Sequence, residues 1–413
     1  MAKFKPLKAI RPYPQYAEAV AALPYDVMSS KEAREKVIGN PYSFLHVDKA
    51  EIDLPEDTDI YDQRVYLKAK ENLEKLVSDG ICIDDQEKRF YIYRQIMNGR
   101  KQTGIVGCAL INDYINGKIK KHELTRADKE ADRIRHIDTC DANTGPIFLT
   151  YRKNDEINSK IEEICDNNAP IYDFVSDGVR QIVWAVNGSD NEFFEDRLKR
   201  VGDYYIADGH HRCASAANVG IKRRMENPDY DGTEEFNFFL AVLFADSDLE
   251  IMDYNRVIKD MNGLSLDEFL EKVSEKFYIR ECADGERCKP SKKHTFGFYS
   301  GEKWYELEAK KEFIDEEDSV ARLDVSILQK NLIDPILGIS NPRVDKRIDF
   351  VGGIRGLEGL EKRTREDMKI AFSMYPTTID DLMSIADDKK IMPPKSTWFE
   401  PKLLSGLFVH RLK

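Results

Sequence analysis

No stretch of the chain approaches the roughly 20 apolar residues that a membrane-spanning helix needs. The first ten residues, MAKFKPLKAI, lack the apolar core of a secretory signal. Cysteine is sparse and unpatterned: Cys82, Cys108, Cys140, Cys165, Cys213, Cys282 and Cys288 form no C-x-x-C pair and are odd in number. Such usage points to a reducing compartment rather than to a disulfide framework. A soluble, cytoplasmic protein with no membrane partner is therefore expected. Positive charge is also short, with 63 Lys and Arg against 75 Asp and Glu. A nucleic-acid binder needs a basic face, so nucleic acid is not an expected partner, although a local basic pocket is compatible with net acidity.

Familiar catalytic signatures are missing too. The chain has no G-x-x-x-x-G-K-[ST] and no G-x-G-x-x-G after a strand, so it carries neither a P-loop nor a dinucleotide fingerprint. It has no G-x-S-x-G elbow, which excludes an ordinary α/β-hydrolase. His122-Glu123 begins like a zinc motif, but position 126 is Arg, so H-E-x-x-H fails. Gly353, Gly356 and Gly359 repeat every third residue, a spacing that reads as structural.

What is present suits two domains, since 413 residues exceed the ordinary size of one. Residues 60–79 form the clearest amphipathic helix pattern, closed by Gly80. Two strand patterns, 89–97 and 103–111, flank Asn98-Gly99, a hairpin turn pair. Further strands are expected at 146–151 and 180–186. The charged stretch RRMENPDYDGTEEF suggests a boundary near 225–235, so the expected division is 1–230 and 231–413. Short strands and helices mixed without a strict β-α repeat indicate α+β.

The densest chemistry lies in YYIADGHHRCASAANV, residues 204–219. An apolar strand runs into Asp208-Gly209, a turn pair, and then into an Ala-rich helix. A helix mouth presents unpaired N–H groups and the positive end of the macrodipole, which favours an anion. Arg212 adds a planar, two-pronged donor for phosphate or carboxylate. Two roles compete for the turn. Asp208 with a histidine would hold a divalent metal, whereas Arg212 with the helix mouth would hold phosphate oxygens. Adjacent residues point different ways, so at most one of His210 and His211 meets a given ligand atom. His122, Glu123, Arg126, Asp132, Arg133 and Arg135 form a second charged cluster, which reads equally as a solvated helix face. Asp26, in Leu23-Pro24-Tyr25-Asp26-Val27, is either a helix cap or a functional acid. In MPPKSTWFEPKLLSGLFVH, Lys395 and Ser396 suit an anion, though a closing pair of strands is an equal reading.

Taken together, AIRP, LPYDV, NPYSFLHV, HELT, GPIF, ADGHHR and MPPKSTWFEPK resemble the family called domain of unknown function 1015, over nearly the whole chain. The D-G-H-H-R turn alone is similar to the phosphate-binding turn of the ParB and sulfiredoxin superfamily, and above all to that of the free serine kinases. That resemblance implies a ParB/sulfiredoxin-like fold for the N-terminal part, followed by a second mixed α/β domain. It places Gly209, His210, His211 and Arg212 on nucleotide phosphates, with Asp208 near substrate or metal. Sulfiredoxin has its reactive cysteine where this chain has His210, so sulfinate repair is not implied. In the kinases an N-terminal glutamate deprotonates the serine hydroxyl; here Asp26 is the preferred counterpart, with Glu18, Glu32 and Glu123 as alternatives.

The expected function is transfer of a phosphoryl group from ATP or ADP, bridged by Mg2+, to a small hydroxyl metabolite such as free serine. Asp26, Asp208 and His211 would be catalytic. Gly209, His210, Arg212, His122, Glu123, Arg133, Lys395 and Ser396 would bind nucleotide or phosphate, and Asp208 would face the metal. The alternatives are a nucleotide- or metabolite-binding switch without chemistry, and a metal-dependent hydrolase or nuclease. The second half is expected to complete the pocket or to mediate self-association into a homo-oligomer.

Overall fold

Asn98 and Gly99 both adopt positive φ, 52° and 79°, and close a hairpin between Tyr91–Met97 (β2) and Arg100–Leu110 (β3). Positive φ at both turn positions matches the right-handed twist of paired strands, so this dipeptide sets the register for everything around it. The structure is a computed structural model that describes residues 2–413. It divides into two compact units, residues 1–249 with 401–413, and residues 250–400.

The first unit is built on a nine-stranded sheet among the described residues. Its other strands are Phe4–Lys5 (β1), Ile119–Lys120 (β4), Ile147–Tyr151 (β5), Tyr172–Ser176 (β6), Val179–Ala185 (β7), Tyr204–Asp208 (β8) and Phe238–Ala245 (β9). They run in the order β4-β8-β5-β9-β3-β2-β7-β6, with β1 paired to β3. β4 with β8 and β5 with β9 are parallel pairs, and the remaining pairs are antiparallel. Every residue of β9 is buried, as an uninterrupted apolar run with neighbours on both edges should be. A smaller four-stranded sheet joins Cys82–Asp84, Ala9–Pro12, Val409–Arg411 and Ala142–Asn143 in that order.

The division falls after Leu249, not near residue 230. β9, expected in the second half, pairs with β3 and β5 in the first sheet. The last residues return to the first unit, because Val409 and His410 pair with Ile10 and Ala9. The charged stretch before β9 is thus a surface connection, and charge alone does not separate a connection from a domain boundary.

Three helices frame the region of interest: Gln63–Ser78 (α1), Ala127–Cys140 (α2) and His210–Glu226 (α3). α3 buries Cys213, Ala214, Ala216, Ala217 and Gly220. Side chains this small let the helix lie close. A methyl group at Gly220 would come 2.5 Å from Ile111 Cδ1 and 2.6 Å from the Phe236 carbonyl.

The second unit is a six-stranded, fully antiparallel sheet of Tyr254–Ile258 (β10), Phe277–Glu281 (β11), Thr295–Tyr299 (β12), Trp304–Ala309 (β13), Ile348–Gly352 (β14) and Ile370–Met374 (β15). Its order is β11-β13-β12-β15-β10-β14. A two-stranded pair, Ile251–Met252 with Trp398–Phe399, lies in the same unit. Strands and helices are mixed in both units, and the fold is α+β. Cys282 and Cys288 form a disulfide here, contrary to the expectation of reduced cysteines throughout. A six-residue separation between the end of β11 and the approach to β12 brings the two together, a closeness that the spacing C-x-x-x-x-x-C does not announce. Among the described residues no helix is long and apolar enough to cross a membrane.

Candidate phosphate site

β8 ends at Asp208, and the chain turns through Gly209 at φ 92° straight into α3. A side chain would be strained at that angle, so the glycine is a requirement of the turn. α3 has no side-chain cap and no acidic residue in its first turn. The Gly209 amide apart, its leading amides therefore have no side-chain acceptor at the positive end of the helix dipole.

Asp208 is held on both oxygens. Its Oδ1 accepts the Gly209 N–H at 2.8 Å, and its Oδ2 pairs with Lys402 Nζ at 2.8 Å. Burial works to raise its pKa, but the Lys402 ammonium, helped by Arg212 and the Gly209 amide, outweighs it and brings the carboxyl down to about 2. Asp208 is ionised at neutral pH and already serves as the anchor of the turn.

The two histidines are acceptors rather than ligands in this arrangement. His210 Nε2 receives the His122 N–H at 3.4 Å, and His211 Nε2 receives the Arg126 N–H at 3.0 Å. The pair thus brackets the loop 122–126 from its two ends, which explains why adjacent histidines occur here. Each ring must carry its hydrogen on Nδ1 to accept at Nε2. Burial lowers both pKa values, so both rings are neutral at pH 7. His210 packs edge-on to His122, ring centres 4.5 Å apart, and its Nδ1 lies 3.9 Å from Glu123 Oε2.

Arg212 points elsewhere. One Nη donates to the Pro146 carbonyl at 3.1 Å, and the guanidinium lies over the Tyr25 ring at 5.3 Å. Among the described residues it has no carboxylate within salt-bridge distance. Arg133, from α2, lies over the same ring at 4.1 Å. Its Nε donates to Asp132 Oδ2 at 2.8 Å, while Tyr66 of α1 donates to Asp132 Oδ1 at 2.9 Å. Asp132 is thus a bracket that aims Arg133. Burial raises the Tyr25 phenol to about 12 despite both guanidiniums, so it stays protonated.

Arg212 and Arg133 line one narrow cleft of about 20 Å³ together with Tyr25, Asp48, His136 and Thr144. Gly145 forms part of its wall, and a methyl group there would sit 3.0 Å from Arg212 Nη1. Of the residues expected from the sequence, the structure brings Arg212 and Arg133 together on this cleft. His122, Glu123 and His210 form their own cluster beside it. Asp26 is exposed in the loop after Tyr25 and is close enough to His211 to favour its protonated form. Lys395 and Ser396 belong to the second unit, where Lys395 lies 5.4 Å over the Tyr254 ring and Ser396 donates to the Pro393 carbonyl at 2.7 Å. Trp398 and Phe399 form the short strand of the closing reading.

Sequence reasoning gave no role to Asp48, His136 or Tyr25, and saw Lys402 only as an anion-binding candidate of the C-terminal stretch, whereas it pairs with Asp208. Tyr25 and Asp48 sit in or next to the LPYDV and NPYSFLHV motifs, which was the available signal. As for metals, no three His, Cys, Asp or Glu side chains converge among the described residues. A three-ligand zinc-type centre is not built here. Mg2+ asks less, one or two carboxylates plus phosphate oxygens and waters, and the ionised, partly exposed Asp208 fits that lesser demand.

Comparison with known proteins adds the family. The model described as "Protein of unknown function (DUF1015)" matches residues 4–326. The chain belongs to that family. No curated protein matches it. Solved structures similar to this family member include a free serine kinase in complex with AMP, at 15% identity and TM-score 0.38, covering 74% of this chain and 90% of the kinase. A conserved hypothetical protein from Pyrococcus furiosus is 14% identical, with TM-score 0.36 and coverage of 73% and 94%. SbnI with a C-terminal truncation, from Staphylococcus aureus, is 10% identical, with TM-score 0.38 and coverage of 74% and 87%.

Proposed function

We propose that the chain is a nucleotide-dependent phosphotransferase acting on a small hydroxyl metabolite. One observation carries the reading: the Arg212 guanidinium, without a carboxylate partner, shares a cleft with Arg133 beside the uncapped mouth of α3. Phosphoryl transfer is catalysed mainly by positioning and by charge placed where the transition state gathers it. Two fixed guanidiniums and a helix mouth supply that charge. The resemblance of D-G-H-H-R to the turn of the free serine kinases supports the same role, with ATP or ADP as donor.

In this reading Arg212 and the first amides of α3 hold the transferred phosphoryl group, and Arg133 steadies a second anionic group. Asp208, ionised and anchored by Lys402, keeps the turn in shape and would help to hold Mg2+, which would supply neutralising charge to the phosphates. Asp26, exposed beside Tyr25, is the carboxylate that would orient the attacking hydroxyl. The test is transfer of labelled phosphate from ATP or ADP to a panel of amino acids and small alcohols, with wild type and Arg212→Ala. Turnover lost in the variant is the expected result, and no turnover with any acceptor would count against the reading.

A second reading, a nucleotide-binding switch that does no chemistry, draws on a different observation. Asp208, His210 and His211 already have partners, which leaves Arg212 as the chief open group of the turn. Strong thermal stabilisation by nucleotide without turnover would select it.

A further inference from the structure

The floor of the Arg212 cleft holds two hydrogen-bond acceptors that lack donors. Asp48, 4% exposed, ends a short helix, Leu45–Asp48. Its Oδ1 accepts the Thr144 hydroxyl at 2.8 Å, but its Oδ2 is buried with no partner. His136, on α2, is 2% exposed, and its Nε2 lies 3.0 Å from the Val47 carbonyl. A carbonyl only accepts, so Nε2 carries the hydrogen and Nδ1 presents a lone pair. That Nδ1 is also buried with no partner. Burial, with Arg133 nearby, brings the imidazole pKa down to about 4, so the ring does not gain a second hydrogen at neutral pH.

An unpaired buried acceptor is destabilising, and native structures contain few of them. Two lining one void call for an occupant. The void, about 20 Å³, has room for one group the size of a water molecule. A hydroxyl brings a single hydrogen and pairs one acceptor. A primary ammonium brings three and carries the charge that complements a carboxylate. The guanidiniums on the same cleft, of which Arg212 has no carboxylate partner, favour an anionic group elsewhere in the ligand.

We propose that Asp48 Oδ2 and His136 Nδ1 seat the ammonium group of a small zwitterionic ligand whose anionic end meets Arg133 and Arg212. This rests on the reading of the cleft as the substrate site, and it makes Asp48 and His136 its specificity-determining residues. The acceptor is then an amino acid or a close relative, selected against hydroxy acids of the same skeleton.

The experiment is calorimetric titration of the full chain with L-serine, with glycerate, which has a hydroxyl in place of the ammonium, and with pyrophosphate. Wild type should bind L-serine at least ~10-fold more tightly than glycerate, as expected for a charge-assisted pair. Asp48→Asn keeps an acceptor for Thr144 and should abolish that preference, while pyrophosphate, which has no ammonium group, should still bind. His136→Phe should reduce it. Equal binding of the two analogues by wild type, or binding of neither, would overturn the proposal, and this comparison needs no variant to fold. A cleft filled only by an ordered water gives that result. Retention of the preference in Asp48→Asn overturns it equally. Pyrophosphate separates the two readings: if it binds through Arg212 while the analogues are not distinguished, the phosphate site stands and the ammonium seat falls. A serine preference that depends on Asp48, without pyrophosphate binding, gives the reverse.

Discussion

Lys402 Nζ lies 2.8 Å from Asp208 Oδ2, a pair that ties the C-terminal segment to a turn 194 residues earlier. The pair adds to the strand pairing that holds the last thirteen residues in the first unit. It also leaves the Asp208 charge paired while Arg212 has no carboxylate partner.

The pair has a pH signature. The Asp208 carboxyl titrates at about 2 in the folded chain, below its ordinary 3.8. A depressed carboxylate stabilises the fold at pH values above its unfolded pKa. That stability is lost as pH falls from about 4 through about 2. The side chain is 41% exposed, so solvent screening keeps the contribution modest. Lys402→Met should raise the Asp208 pKa, and carboxyl-detected NMR titration should show the shift upward. An unmoved Asp208 would mean that the ammonium is not its anchor.

Gly209→Ala places a Cβ at φ 92°, where backbone strain costs about 1–3 kcal/mol. Space is not the obstacle, since the nearest atom would be Ile147 Cα at 3.7 Å. Urea unfolding should therefore report a loss of that size, and the helix mouth should shift enough to weaken phosphate binding. A variant as stable as wild type would show that the turn tolerates other angles.

His122 gives a second pH test. It is buried, and burial lowers its pKa to about 4 against the pull of Asp208 and of the Ile206 backbone. A histidine kept neutral by folding stabilises the chain above its unfolded pKa, about 6.5. The stability declines as pH falls from there toward 4, by up to about 1.4 kcal/mol per unit for one proton. His122→Phe preserves the edge-on contact with His210 and removes that proton. Its unfolding free energy should be close to wild type at pH 7.5 and fall less steeply between pH 6.5 and 4. Identical slopes would place the titration elsewhere, with His136 the next residue to examine.

Much of this was readable from residues alone, and the failures share a cause. The β2–β3 hairpin, the helix over 63–78 and the strand-to-helix turn at 208 follow from local periodicity and turn chemistry, which need only neighbours in sequence. The unit boundary and the role of Lys402 depend on pairing across hundreds of residues, which no window of sequence contains. His210 and His211 stood out in the sequence as an adjacent pair for which it offered no structural reason. The reason, two amides of the loop 122–126, is a tertiary one. Asp48 and His136 matter through atoms left without partners, and a deficit of that kind has no spelling in the sequence.

The most direct measurement is calorimetric titration of Mg-ADP into wild type and Arg212→Ala. Loss of a charge-assisted contact to phosphate is worth about 1.5–3 kcal/mol, so the variant should bind ~10- to ~100-fold more weakly. Its thermal stability should fall only modestly, because Arg212 anchors no ion pair and gives up one hydrogen bond to Pro146 and its contact with Tyr25. Equal affinity in the two proteins would contradict the account, since the guanidinium at the mouth of α3 would then have no part in holding phosphate.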